Sequence, residues 1–149
     1  MTSHSPSART IVEAAIAAFL RGDQAAVLAQ LDPDVAVEFH GPAELPIAGR
    51  YRGHAGFLDY VGRVLGRIRM LAFEPETWVS EGDRVVVIGS TLARAHANGR
   101  EARIAWTLAF EVVAGRITRY RVYEDTATLQ GLLGGAQALE SRVSSAAAT

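Results

Sequence analysis

From Met70 to Asp125 the apolar residues recur at every second position, and short turn signals break the run three times. That pattern constrains the fold more than any other feature of the chain, because a period of two belongs to strands with one buried face. The segments are "MLAFEPETWVS", "VVVIGSTLARAHA", "REARIAWTLAFEVV" and "ITRYRVYED". "EGDR", "NG" at Asn98 and Gly99, and "AGR" separate them. Asn-Gly is the sharpest hairpin signal. Consecutive hairpins predict an antiparallel four-strand meander, with the first strand broken or bulged at Pro75.

Before Met70 the period is helical. A first helix is expected from Ala8 to Arg21, with Ile11, Ala15, Ile16, Phe19 and Leu20 on one face. Gly22 ends it, and Asp23 caps a second helix reaching Gln30 or Leu31. "LDPD" stops that helix, since a residue before proline avoids helical angles. "VAVEFH" reads as a strand with Val35, Val37 and Phe39 on one face and Glu38 and His40 on the other. After a proline-rich loop, a third helix is expected from His54 to Ile68, its stripe including Phe57, Leu58, Val61 and Val64. A short helix follows Asp125 to Leu133. The element order predicts an α+β fold, a cone-shaped curved sheet wrapped on three helices with an apolar pocket at its mouth.

The 149 residues suit a single domain, placed at 8–133, with flexible tails expected at 1–7 and 134–149. Fifteen basic against sixteen acidic residues give a formal charge of −1, which offers nucleic acid or an anionic membrane nothing to bind. No run approaches a membrane span. "IVEAAIAAFL" lacks the flanks of a signal peptide, so a cytoplasmic location is the expectation. There is no cysteine, which removes disulfides and thiol chemistry. The four histidines lack metal-ligand spacing, so no metal is expected, and no nucleotide-binding, serine-hydrolase or zinc-protease motif occurs.

Several segments then carry a resemblance. "FLRGDQAAVLAQLDPDVAVEF", "GPAELPIAGRYRGHAGF", "EGDRVVV" and "FEVVAGRITRYRVYED" with "TATLQ" resemble, in order and spacing, the nuclear transport factor 2-like superfamily. The likeness is to its SnoaL-like, ketosteroid-isomerase-related branch. That resemblance implies a homodimer through the sheet. The small residues Ala105, Thr107 and Ala109 on the outward face of the third meander strand suit such packing. It also implies a small apolar organic ligand and cofactor-independent chemistry, either proton abstraction next to a carbonyl or ring closure.

The polar residues of related enzymes do not all carry over. The positions matching the steroid-isomerase aspartates and tyrosine hold Phe39, Ala15 and Trp106 or Thr107. Those matching the epoxide-hydrolase set hold Val37, Phe39, Gly89 and Thr91. Only the terminal aspartate is retained, at Asp125, where SnoaL-like cyclases keep their acid/base group. Asp125 is therefore the expected catalytic residue, with helix capping as the other reading of the same side chain. Tyr123 shares its strand parity and is a candidate donor to a ligand carbonyl. Because Arg119 and Arg121 share it too, that assignment requires a bulge before Tyr123. His40 is a rim candidate. The expected ligand wall comprises Val37, Phe39, Phe57, Tyr60, Trp78, Gly89, Thr91, Trp106 and Leu108. A binding module without chemistry is the alternative function.

Overall fold

The computed structural model describes residues 6–135. Helices α1 (Ala8–Leu20) and α2 (Gln24–Gln30) form an opening pair. Gly22, at φ 74°, makes the turn between them. Asp23 then accepts the Ala26 N–H at 3.1 Å and caps α2 as its sequence position requires. Strands β1 (Leu31–His40) and β2 (Gly49–Arg52) follow, then α3 (Gly53–Leu65). The long strands are β3 (Ile68–Glu81), β4 (Arg84–Ala95), β5 (Glu101–Val113) and β6 (Arg116–Glu124). Helix α4 (Thr126–Gln130) continues into a kinked π-helical turn, Gly131–Gly135.

One curved sheet holds all six strands in the order β2-β1-β6-β5-β4-β3. The meander from β3 to β6 is antiparallel, and the expected break is a register shift between Pro75 and Thr77 on the edge strand β3. Three features differ from the sequence reading. β1 begins at Leu31 and passes through Pro33, with a register shift before Ala36. "GRYR" is a strand rather than the end of a loop. β1 also pairs parallel with β6, which inserts the first strand beside the last and completes the sheet.

Alternation decides the two faces. β1 buries Val35, Val37 and Phe39, and β5 buries Ile104, Trp106, Leu108, Phe110 and Val112. Helix α1 covers this inner face with Ile11, Val12, Ala15 and Ala18. Leu20, expected on that face, is 53% exposed because the helix ends there. α3 lies against β1 and presents Phe57 and Tyr60. Asn98 fastens the far end, its Nδ2 donating to the Leu132 carbonyl at 3.1 Å. The hairpin signal thus also anchors the segment after α4.

Candidate functional site

The space between the sheet, α1, α3 and α4 is not filled. A cavity of about 130 Å³ remains, comparable to engineered apolar cavities of roughly 150 Å³ that hold one benzene. Its wall is almost wholly aliphatic and aromatic. The charged residues lining it, among the described residues, are Glu124 and Arg67.

Glu124 is the last residue of β6 and pairs across the sheet with Trp106. The row Phe110–Tyr120, Leu108–Val122, Trp106–Glu124 runs along the inner face and lines the cavity. Burial among these side chains penalises the carboxylate form and pushes the Glu124 pKa up to about 7. Two phenols share the cavity. Tyr60 and Tyr120 pack edge to face with centroids 6.3 Å apart, and Tyr120 stacks on Phe110 at 4.9 Å. Burial raises both phenol pKa values, and the Glu124 charge raises them further, so both hydroxyls stay protonated. Trp106 donates from Nε1 to the Thr91 hydroxyl at 2.8 Å, which locks the indole and satisfies both buried polar groups.

Asp125 lies outside this cavity. It is the N-cap of α4, accepting the Thr128 N–H at 3.2 Å and the Thr128 hydroxyl. These hydrogen bonds hold its pKa below the usual aspartate value, the opposite of what a base working near neutrality needs. Tyr123 points to the outer face, is 39% exposed, and stacks on the His40 ring at 4.3 Å. His40 in turn lies 3.1 Å from Glu38. None of the three residues expected to act on a ligand faces the cavity.

The cause is strand parity. β6 does carry a bulge, but at Thr118, where the register against β5 shifts between Glu111 and Val112. Beyond it the strand alternates without interruption. Arg119, Arg121 and Tyr123 face out, and Tyr120, Val122 and Glu124 face in. The two arginines already signalled this, since charged side chains favour the wet face of a half-buried strand.

Of the expected wall, Phe57, Tyr60, Thr91, Trp106 and Leu108 line the cavity. Val37 and Phe39 are buried in the core beneath α3, with Phe39 screened by the Tyr60 ring at 6.2 Å. Trp78 sits on the rim of the core under the Arg9 guanidinium, 5.1 Å from its ring. Gly89 does face inward, opposite Trp106, but the indole lies over it: a Cβ there would come within 2.7 Å of Trp106 Cη2 and 2.3 Å of the Glu74 carbonyl oxygen. The glycine is the floor on which the tryptophan rests. Among the described residues no three histidine, aspartate or glutamate side chains gather to hold a metal, and no helix is long and apolar enough to cross a membrane.

A polar-poor cavity under a curved sheet narrows the choice of relatives, and family comparison decides it: the SnoaL-like domain matches residues 12–120. The chain belongs to the SnoaL-like family. Solved structures agree. An NTF2-like protein from Burkholderia xenovorans LB400 is 29% identical, with a TM-score of 0.77, and the match covers 87% of this chain and 99% of that one. TerC, crystallised with polyporic acid, is 28% identical with a TM-score of 0.72, covering 85% of this SnoaL-like chain and 97% of TerC. A protein provisionally named a polyketide cyclase from Xanthomonas campestris pv. campestris is 26% identical with a TM-score of 0.72, covering 85% and 96%. Comparison with curated proteins returns no match.

Proposed function

We propose that this SnoaL-like protein is a cofactor-independent enzyme that removes a proton from carbon next to a carbonyl, with Glu124 as the base. One observation carries the reading: a carboxylate in the wall of an apolar cavity, its pKa pushed up to about 7. A base poised near the working pH is both available in its charged form and strong enough to accept a carbon-bound proton. The proton passes to a Glu124 oxygen, and the C–H electron pair becomes the enolate, with charge on the carbonyl oxygen. Tyr60 and Tyr120 are neutral donors that can hydrogen-bond that oxygen as charge develops. Glu124 then returns the proton to a different carbon, which is isomerisation. Alternatively the enolate carbon attacks a second carbonyl of the same molecule and the new alkoxide takes the proton, which is ring closure. Neither route requires an electron acceptor or an added group. The relatives named as a polyketide cyclase and as a protein crystallised with polyporic acid support small-molecule chemistry on this scaffold.

The test is exchange of α-protons in D₂O, followed by proton NMR with phenylacetone, whose single ring matches the cavity. Wild-type protein is expected to accelerate exchange, with a rate that climbs as pH rises through about 7. Glu124→Gln should lose roughly 100-fold or more and keep its fold. Binding without exchange would leave the protein a ligand-binding module.

The same reading includes a homodimer formed through the outer face of the sheet. There Ile88, 43% exposed, lies in a row with Thr107 and Tyr123 across three strands. A row of this kind suits a flat packed contact. A solution mass of one chain at micromolar concentration would overturn it.

A further inference from the structure

Among the described residues the cavity has one other charged wall residue, and it stands where the cavity meets a second recess. Arg67 lines both the inner cavity and a second, more open recess bounded by Glu44, Pro46, His96 and Gly134. Leu133 also borders both. Glu124 lines only the inner space. The two recesses therefore adjoin at Arg67, and a ligand reaching Glu124 from this side passes this residue.

The backbone of Arg67 is fixed at both ends. Its N–H donates to the Val64 carbonyl at 3.0 Å, and its carbonyl accepts the His96 N–H at 2.9 Å. One guanidinium nitrogen, Nη1, donates to the Arg63 carbonyl at 3.0 Å and so closes the end of α3. The remaining N–H groups meet no carboxylate among the described residues, although the side chain is half-buried. The nearby arginine differs: Arg63 pairs with Asp59 at 3.2 Å. His96 donates its Nε2–H to the Leu65 carbonyl at 2.9 Å and helps to shape the recess. An anchored guanidinium with free donors beside an apolar cavity is built to receive an anion.

We infer that this mouth selects ligands that join one apolar ring to a carboxylate, the ring filling the inner cavity and the carboxylate meeting Arg67. The size of the cavity sets the ring. The anion follows from the surrounding charge. Arg67 is a single cation, and Glu44 stands on the same recess as an exposed carboxylate. That arrangement suits a planar monoanion and opposes a phosphate dianion, which calls for more than one cation. Arg67 is thus a specificity-determining residue. The inference rests on the proposed function in one respect, that this cavity is where Glu124 acts.

Calorimetric titration with 3-phenylpropionate and 3-phenylpropan-1-ol tests it. The two differ only in the charged end, and at pH 6 the acid is ionised. Wild-type protein is expected to bind the acid about tenfold more tightly than the alcohol. Arg67→Gln should erase that preference while holding alcohol affinity within about twofold, and Arg67→Lys should restore part of it. Raising salt should weaken the acid alone. Equal binding of acid and alcohol by wild type, equal losses of both in Arg67→Gln, or no binding of either would overturn the inference. Glu124→Gln should keep the acid preference, and wild-type protein that shows this preference but exchanges no protons sinks the catalytic reading and leaves this one standing.

Discussion

Glu124 and Asp125 are neighbours in sequence and carry the same functional group, yet the fold treats them oppositely. Glu124 ends a strand, points inward, and is buried with no hydrogen bond or ion pair to its carboxylate among the described residues, so its pKa rises to about 7. Asp125 starts a helix, points outward, and accepts hydrogen bonds from the first turn, so its pKa falls. The difference is one step of strand alternation. It teaches that the inner face of β6 sets a carboxylate against the cavity while its outer end sets one into a helix cap, and that the residue type alone decides neither.

The sharpest way to break this contrast is to neutralise each carboxylate in turn. Glu124→Gln is expected to reduce proton exchange by roughly 100-fold or more, whereas Asp125→Asn leaves it within about twofold because a cap does not touch the ligand. Equal losses would mean that the two faces share the chemistry. The pH dependence of stability should separate them next. The folded protein holds a proton on Glu124 from the ordinary glutamate value of 4.5 up to about 7, while the unfolded chain releases it. Stability therefore falls as pH rises through that window, by up to about 3 kcal/mol, and Glu124→Gln should flatten this part of a Tm-against-pH curve. For Asp125 the sign reverses: its contribution is present above the ordinary aspartate value and disappears on acidification.

A smaller effect is expected beneath the cavity. Gly89→Ala places a methyl group against Trp106 and the Glu74 carbonyl, and should cost about 1–3 kcal/mol in chemical denaturation, with a displaced indole visible as a shift in tryptophan emission. Smaller again, Asp125→Ala removes the cap and should lower Tm by about 2–4 °C. Least of all, Tyr123→Phe keeps the ring that stacks on His40 and should change proton exchange by less than about twofold. A larger loss there would restore the outer face as a site.

Much of the fold was legible because period and punctuation are local. The meander, the Asn-Gly turn, the Asp23 cap and the interruption at Pro75 each follow from a few adjacent residues. The parallel pairing of β1 with β6 was not legible, since no short stretch records a partner so far along the chain. Nor was β2, whose four residues carry no clear alternation. At the site, five of the expected wall residues were legible as large or polar members of an inward row. Gly89 was read on the correct face, but the indole that covers it depends on packing. Family position favoured Asp125, and turning Tyr123 and Asp125 inward required a bulge after Arg121, whereas the bulge in β6 lies at Thr118. Arg119 and Arg121, alternating with Tyr120 and Val122, were the signal that outweighed it. Arg67 carries no pattern at all. Its place at the opening arises from where α3 ends and the turn after β4 begins.

The β1–β6 pairing also governs when this molecule can exist. Ala36 joins Arg119 across most of the chain, and β6 is flanked on both sides, by β1 and by β5. During synthesis the first strand is made early and must wait, its pairing edge bare, until nearly the whole chain has been produced. Long-range pairing of this kind slows folding and lengthens the interval in which a hydrophobic edge invites the wrong partner. The strand that brings Glu124 to the cavity is the one that ends this wait, so the cavity's carboxylate and the completed sheet arrive in the same step.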